Sequence, residues 1–259
     1  MNENKKVKGK RERQPSGLWK VAKPNRIDPP FVGFDHMTWL SDEEKALGAE
    51  YLESFTRPQK YEFGLGKGTM PQLERIIGVN AFYSWMCDPE CLVAFMGIYD
   101  KAIQLATGLD GFAELMQLGS NHTGIDTTER GKDPEIRRKF KLVMTMILAI
   151  GHERKDDYWL RTMTSNSSQT EPDKSGSYII PAEKAVMLHN PDSSVWDDEE
   201  SLAIKFTYAV MRSEMTDEIW GPCMEAWGPK EITRYAMFIG VYNLMLMQQT
   251  MYFGDDKSF

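Results

Sequence analysis

The chain has 259 residues, 41% of them hydrophobic and 27% charged, with a formal net charge of −7. That is one domain with decorations, or at most a domain and a half, long enough to bury a core without disulfides or a structural metal. Three cysteines, Cys87, Cys91 and Cys223, are too few and too odd in number for a disulfide framework, and the longest apolar stretch, 232–253, is broken by Arg234, Asn243, Gln248 and Gln249, which excludes a membrane span.

Charge is unevenly spread. Residues 1–26 hold nine Lys and Arg against two Glu, about +7, which leaves about −14 on the remainder. Lys5, Lys6, Lys8, Lys10, Arg11 and Arg13 could engage nucleic acid or an import receptor, but the composition of 1–30 favours a solvated, disordered arm. The acidic body argues against a nucleic-acid surface on the folded part, expected as a single domain over 31–259. No charged region, apolar core and cleavage site follow one another at the N-terminus, so a cytoplasmic location is expected.

In chain order, Pro24, Pro29 and Pro30 mark an extended lead-in. Ser41-Asp42-Glu43-Glu44 then opens a helix with a capping-box pattern, running toward Phe55 and stopped near Pro58. Gly64-Leu65-Gly66-Lys67-Gly68 has neither the preceding strand nor the Gly-Lys-Ser/Thr ending of a phosphate loop and reads as a turn. Helices are expected over Met70–Met86 and Pro89–Thr107, with Asp88 capping the second. Residues 119–134, with Asn121 and His122, form a polar loop. Glu135–Ile150 turns apolar on nearly every side, through Val143, Met144, Met146, Ile147, Leu148 and Ile150, as a central helix does.

Gly151 and the charged run His152–Trp159 follow. After a polar loop over 164–178, Asp197-Asp198-Glu199-Glu200 places negative charge at a helix start, where the macrodipole favours it. The inner face of that helix is expected to be Leu202, Phe206, Ala209 and Val210. A short helix after Thr216 ends at Gly228, and Pro229 starts the last one, which Gly254 stops. No segment alternates with period two for long, so the chain is all-α.

Three stretches together resemble the AhpD-like superfamily, in its carboxymuconolactone decarboxylase group. Met70-Pro71-Gln72-Leu73-Glu74-Arg75 through Asp88-Pro89-Glu90-Cys91-Leu92-Val93-Ala94-Phe95 is similar to its opening helix pair. Arg137–Trp159 is similar to its signature helix-turn-helix. Leu202–Phe253 resembles its closing helices, notably at Thr216-Asp217-Glu218, Trp227-Gly228-Pro229-Lys230-Glu231-Ile232 and Val241-Tyr242-Asn243-Leu244. The resemblance implies an AhpD-like helical bundle assembled as trimers or hexamers, with a pocket near subunit contacts. Redox members of the family use a Cys-x-x-Cys pair, a downstream His and an upstream Glu. Here alignment on the apolar helix puts Glu153, Leu160 and Lys141 at those places, and alignment on Trp159 puts Lys155, Thr162 and Val143 there. With neither thiol nor imidazole in register, a thiol peroxidase is not expected.

Glu153 and Asp157 lie four apart, as do His152 and Asp156, so each pair shares a face if the helix continues through them. A desolvated Glu153 carboxylate would have a raised pKa and could move a proton beside a substrate carbonyl or enol, tuned by His152 and Asp157. The bland reading is a solvated, charged helix end in which Arg154 and Lys155 hold Glu153 ionised. Tyr83, Trp85, Trp159 and Tyr242 could line an aromatic pocket together with His122, though aromatics at helical spacing are more often core. His152-Glu153 lacks the second histidine of a zincin motif, so no metal site is expected, and no cofactor. Cys87 and Cys91, four apart, read as buried apolar thiols.

Two functions follow. One is a cofactor-independent lyase, decarboxylase or isomerase acting on a small carbonyl or carboxylate compound through Glu153, His152 and Asp157, with loss of proton transfer from Glu153 costing about a hundredfold in turnover. The other is a non-catalytic assembly or ligand-binding protein that kept the fold and lost the site. In either case the apolar last helix points to a homo-oligomer.

Overall fold

In the computed structural model the described residues are 34–56, 87–111, 115, 132–156, 180 and 182–252. Every regular element among them is helical: a 3-10 turn Phe34–His36, then α1 Asp42–Thr56, α2 Pro89–Thr107, α3 Pro134–Glu153, α4 Ala182–Ala185, α5 Asp198–Arg212 and α6 Asp217–Tyr252. The all-α expectation is met. The helix expected over Met70–Met86 and the turn at Gly64–Gly68 lie outside the described residues, as do Tyr83, Trp85, His122, Asp157 and Trp159. Among the described residues no helix is long and apolar enough to cross a membrane.

Contacts gather the chain into two compact units. One comprises Met1–Pro58, Lys67–Leu92 and Gln248–Phe259; the other comprises Gln59–Gly66 and Val93–Met247. In the first unit the Ser41 capping box forms as its sequence predicts: Glu44 N–H donates to Ser41 Oγ at 3.2 Å, and Ser41 N–H donates to Glu44 Oε2 at 2.7 Å. Gly48 in α1 is required by packing, because a Cβ there would collide with the Phe34 ring. Trp39 Nε1 donates to the Cys87 carbonyl at 3.0 Å. Asp88 caps α2 by accepting from Cys91 N–H at 3.0 Å.

That first turn of α2 corrects the reading of the thiols. Cys91 is exposed and Cys87 half-buried, and only Cys223, in the second unit, is fully buried. Cys91 sits on the outward side of the turn between Glu90 and Ala94, both also exposed. The Asp88 carboxylate beside it raises its pKa, while burial pushes Cys87 up to about 11. Both shifts favour the protonated thiol over the thiolate.

The second unit is built on α3. Asp133 caps it, accepting from Glu135 N–H at 2.8 Å, and Pro134 occupies the first turn, where its missing N–H costs nothing. From Leu142 to Gly151 every residue is buried, which is the central helix the apolar run predicts. α5 packs against it, opened by a capping box between Asp197 and Glu200. The buried face of α5 is Ala203, Ile204, Phe206, Thr207, Tyr208 and Ala209. Leu202 and Val210, expected on that face, are only half-buried. The broader buried arc takes in Tyr208 and Thr207, whose hydroxyls are satisfied by the Leu188 and Ala203 carbonyls, so polar tips do not keep them at the surface.

At the N-terminal end of α3, Arg138 joins three helices. It donates to Glu135 through Nε and Nη2, each at 2.8 Å, to Glu199 of α5, and to Glu231 of α6 at 3.5 Å. Lys139 adds a 2.6 Å pair with Glu231, and Trp227 Nε1 donates to Glu199 at 2.9 Å. The Trp227 indole in turn lies edge-on to Phe206 and Tyr235.

α6 is two helical segments meeting at Gly228, whose φ of 66° and ψ of 171° lie outside helical space. The positive φ selects glycine, and the extended ψ is what a following proline demands. Pro229 then starts the second segment, as the Gly228-Pro229 dipeptide predicts. The second segment buries Ile232, Tyr235, Phe238, Ile239, Tyr242, Met245 and Leu246, yet leaves Met237, Leu244 and Met247 exposed.

Candidate functional site

The charged run continues α3 only through Glu153. Arg154 is its last cap, Lys155 adopts the left-handed conformation with φ 55°, and the chain turns back. Lys155 N–H donates to the His152 carbonyl and Asp156 N–H to the Gly151 carbonyl, each at 2.9 Å. This is the six-to-one and five-to-two pattern of a Schellman ending, here without glycine. The helical premise for pairing Glu153 with Asp157, or His152 with Asp156, therefore fails. Asp156 leaves the helix and is buried, and Asp157 lies outside the described residues.

Glu153 does not have the raised proton affinity expected of it. Arg212, the last residue of α5, grips it in a two-pronged pair, Nε to Oε1 at 2.8 Å and Nη2 to Oε2 at 2.5 Å. These hydrogen bonds hold the carboxyl below its ordinary pKa, although partial burial pulls the other way. Of the sequence neighbours thought able to do this, Arg154 donates through Nη1 to Asn243 Oδ1 at 2.9 Å, and the exposed Lys155 adds a smaller share than Arg212. The Arg212 guanidinium also stacks 4.9 Å above the Tyr208 ring, one helical turn back on α5. A left-handed Ser213 ends α5 directly after Arg212.

His152 is the better-poised group. Its Nδ1 is 2.8 Å from Tyr208 Oη, and Tyr208 also donates to the Leu188 carbonyl at 2.9 Å. A carbonyl can only accept, so the single hydroxyl proton goes to Leu188. Tyr208 must then accept from His152, which places a proton on Nδ1 and leaves the lone pair on Nε2. Burial lowers the His152 pKa; the Glu153 carboxylate opposes this, while His189 and Arg212 add to it. The neutral imidazole thus persists at pH values where a free one begins to charge. Burial likewise raises the pKa of Tyr208, so its hydroxyl stays protonated.

The structure brings together His152 and Glu153 and adds Tyr208, Arg212 and His189, which sequence reasoning did not single out. His189 lies in the turn after α4, and its Nδ1 is 3.0 Å from the Val186 carbonyl. The spacing of Tyr208 and Arg212, one turn apart on a helix, was visible, but not what it faced. Tyr242, expected to line a substrate pocket, is buried in the core, its ring 6.0 Å from that of Tyr99 and 5.5 Å from that of Phe238. It packs there because its face of α6 points inward with Phe238 and Met245. Among the described residues no three or more His, Cys, Asp or Glu side chains group as a metal cage. Comparison of the chain with family models, curated proteins and solved structures gives no match.

Proposed function

We propose that this chain is a divergent AhpD-like protein and a cofactor-independent lyase or isomerase for a small carbonyl or carboxylate compound, with His152 rather than Glu153 as the group that moves the proton. The observation that carries this reading is the Tyr208 relay, which presents a neutral imidazole with its basic Nε2 uncommitted among the described residues. Such a group is ready to take a proton from carbon next to a carbonyl and return it. In this reading Tyr208 orients the ring, and the Glu153–Arg212 pair is fixed charge beside it, stabilising imidazolium through the carboxylate.

The test is deuterium wash-in. The full chain is incubated in D2O with a panel of small oxo acids and ketones, and loss of C–H signal is followed by proton NMR. Exchange with at least one compound is expected, and His152→Gln should slow it about a hundredfold or more with the fold intact. Because the His152 pKa is lowered, the rate should rise with pH and level off below the ordinary imidazole value of about 6.5. Exchange that survives in His152→Gln overturns the assignment.

A second reading, a non-catalytic assembly protein, draws on the exposed Met237, Leu244 and Met247, which lie at intervals near one and two turns along the second segment of α6. An apolar row of this kind suits a homo-oligomer, a trimer or hexamer if the family resemblance is right. No exchange across the panel, with an oligomeric mass by light scattering, would favour it.

A further inference from the structure

The Tyr208 hydroxyl holds one proton and stands between two acceptors, the Leu188 carbonyl at 2.9 Å and His152 Nδ1 at 2.8 Å. With the carbonyl in place the proton goes there, and His152 keeps its own on Nδ1. Take the carbonyl away and the hydroxyl donates to Nδ1 instead, so the neutral ring must carry its proton on Nε2. Which nitrogen of His152 is basic is therefore set by the position of Leu188, a residue of neither α3 nor α5.

Leu188 belongs to the segment 184–196, the end of α4 followed by tight turns. Met187 N–H donates to the Lys184 carbonyl at 2.9 Å and Leu188 N–H to the Ala185 carbonyl at 3.4 Å, so Lys184 and Leu188 belong to one turn. Only Leu188 and Trp196 of this segment are buried, a thin apolar anchor, and ion pairs to α5 add to it. Lys184 Nζ donates to Glu200 Oε2 at 2.5 Å and lies 5.5 Å over the Trp196 ring, whose Nε1 donates to the Met187 carbonyl at 3.4 Å. Lys205 Nζ donates to Asp192 Oδ1 at 2.5 Å on the outside. Glu200, Lys205 and Tyr208 fall within about two turns of α5, so both tethers bear on the stretch that carries the hydroxyl. The inner one holds harder, because losing Lys184 leaves the buried Glu200 carboxylate with only the Asp197 N–H and Lys141, 3.8 Å away.

We propose that Lys184 is a positioning residue for His152: it holds the segment 184–196 against α5 so that the Leu188 carbonyl takes the Tyr208 proton and the basic lone pair stays on Nε2. When the segment lifts, the hydroxyl turns to Nδ1. The Nδ1 proton passes to water while water supplies one to Nε2, so the charge of the ring is unchanged. The lone pair then faces Tyr208, and Nε2 has nothing with which to accept a proton. The tautomer follows from these hydrogen bonds alone, and only its consequence, loss of proton transfer, rests on the acid/base reading.

Long-range proton–nitrogen correlation NMR of the nitrogen-15-labelled full chain at pH 7.5 reads the tautomer directly, with the His152 signals identified by their loss in His152→Gln. In wild-type protein the Nδ1–H form is expected to be the major one. Lys184→Met should make Nε2–H the major form, Lys184→Arg should keep the wild-type ratio, and Lys205→Met, which touches only the outer pair and spares the fold, should move the ratio the same way by less. In Tyr208→Phe there is no hydroxyl proton to redirect, so adding Lys184→Met or Lys205→Met there should change nothing further, whereas a lysine that merely stabilised the fold would keep its effect. A wild-type ratio in whichever of Lys184→Met and Lys205→Met folds, or a shift that persists in the Tyr208→Phe background, overturns the proposal. Deuterium exchange measured on the same samples separates the two readings. An unmoved Nδ1–H tautomer with histidine-dependent exchange removes only this inference, and a tautomer that moves as stated with no exchange removes only the acid/base reading.

Discussion

The two ends of α3 look alike on paper and behave differently in the structure. The N-terminal end, Glu135-Ile136-Arg137-Arg138-Lys139, and the C-terminal end, His152-Glu153-Arg154-Lys155-Asp156, are both dense in charge, and each sets an arginine against a carboxylate from another helix. At the N-terminal end Arg138 serves three carboxylates on three helices, and Trp227 and Lys139 take up what remains. At the C-terminal end one arginine serves one carboxylate, and the imidazole beside it keeps a basic nitrogen. Shared networks of this kind hold helices in place. A pair with a titratable neighbour leaves chemistry open.

The comparison breaks most visibly if the two arginines prove equivalent. Arg138→Gln leaves Glu135, Glu199 and Glu231 short of a partner in a half-buried setting, so a loss of about 1–2 kcal/mol is expected, between the values for exposed and buried pairs. Trp227 and Lys139 keep it from being larger. Arg212→Gln removes a single pair whose arginine is 45% exposed, and a loss below about 1 kcal/mol is expected. Urea denaturation of both variants decides the matter, and equal losses would erase the distinction between a structural end and a functional one.

Features set by neighbours in sequence were legible from the chain alone. The capping residues Ser41 and Asp88, the negative start of α5, the buried run of α3 and the break at Gly228-Pro229 each depend on residues within a turn or two. The partners of the site were not legible. Arg212 is 59 residues from Glu153, and Tyr208 is 56 from His152, so nothing in local periodicity could pair them. The same limit explains the error over Glu153. Its charged neighbours Arg154 and Lys155 were visible, but Arg154 pairs with Asn243, Lys155 adds only a minor share, and the main cation arrives on another helix. His189 was not singled out because a lone histidine in a turn carries no pattern.

That turn offers a sharper, smaller test. Lys155 holds a left-handed conformation that costs a side-chain-bearing residue roughly 1–2 kcal/mol and glycine almost nothing. Lys155→Gly should stabilise the protein by about 1 kcal/mol in thermal unfolding, after allowance for the greater freedom of glycine in the unfolded chain. Deuterium exchange should be unchanged, since the ring of His152 is oriented from Tyr208 and not from the turn. Destabilisation would mean that Lys155 is not in the conformation described, and the C-terminal end of α3 would have to be redrawn.

The smallest expected effect belongs to the residue that drew most attention in the sequence. Glu153 has a lowered pKa because Arg212 hydrogen-bonds its charged form. A carboxylate depressed on folding contributes stability above its ordinary pKa and loses it as pH falls through the folded value. His152 is also depressed, by burial, so its contribution is present above the ordinary imidazole range and is lost as pH falls through its own folded value. The two losses are separable: one lies in the carboxylate range and disappears in Glu153→Gln, and the other lies at higher pH and disappears in His152→Gln. Near pH 7.5 Glu153→Gln should fall within about 0.5–1 kcal/mol of wild type, since the pair it breaks is largely solvated and weakened by salt. Exchange should change only a few-fold, because a carboxylate held ionised by an arginine has no proton to give and little basicity to offer. A hundredfold loss with an intact fold would reverse the assignment, returning the proton to Glu153 and making His152 its support.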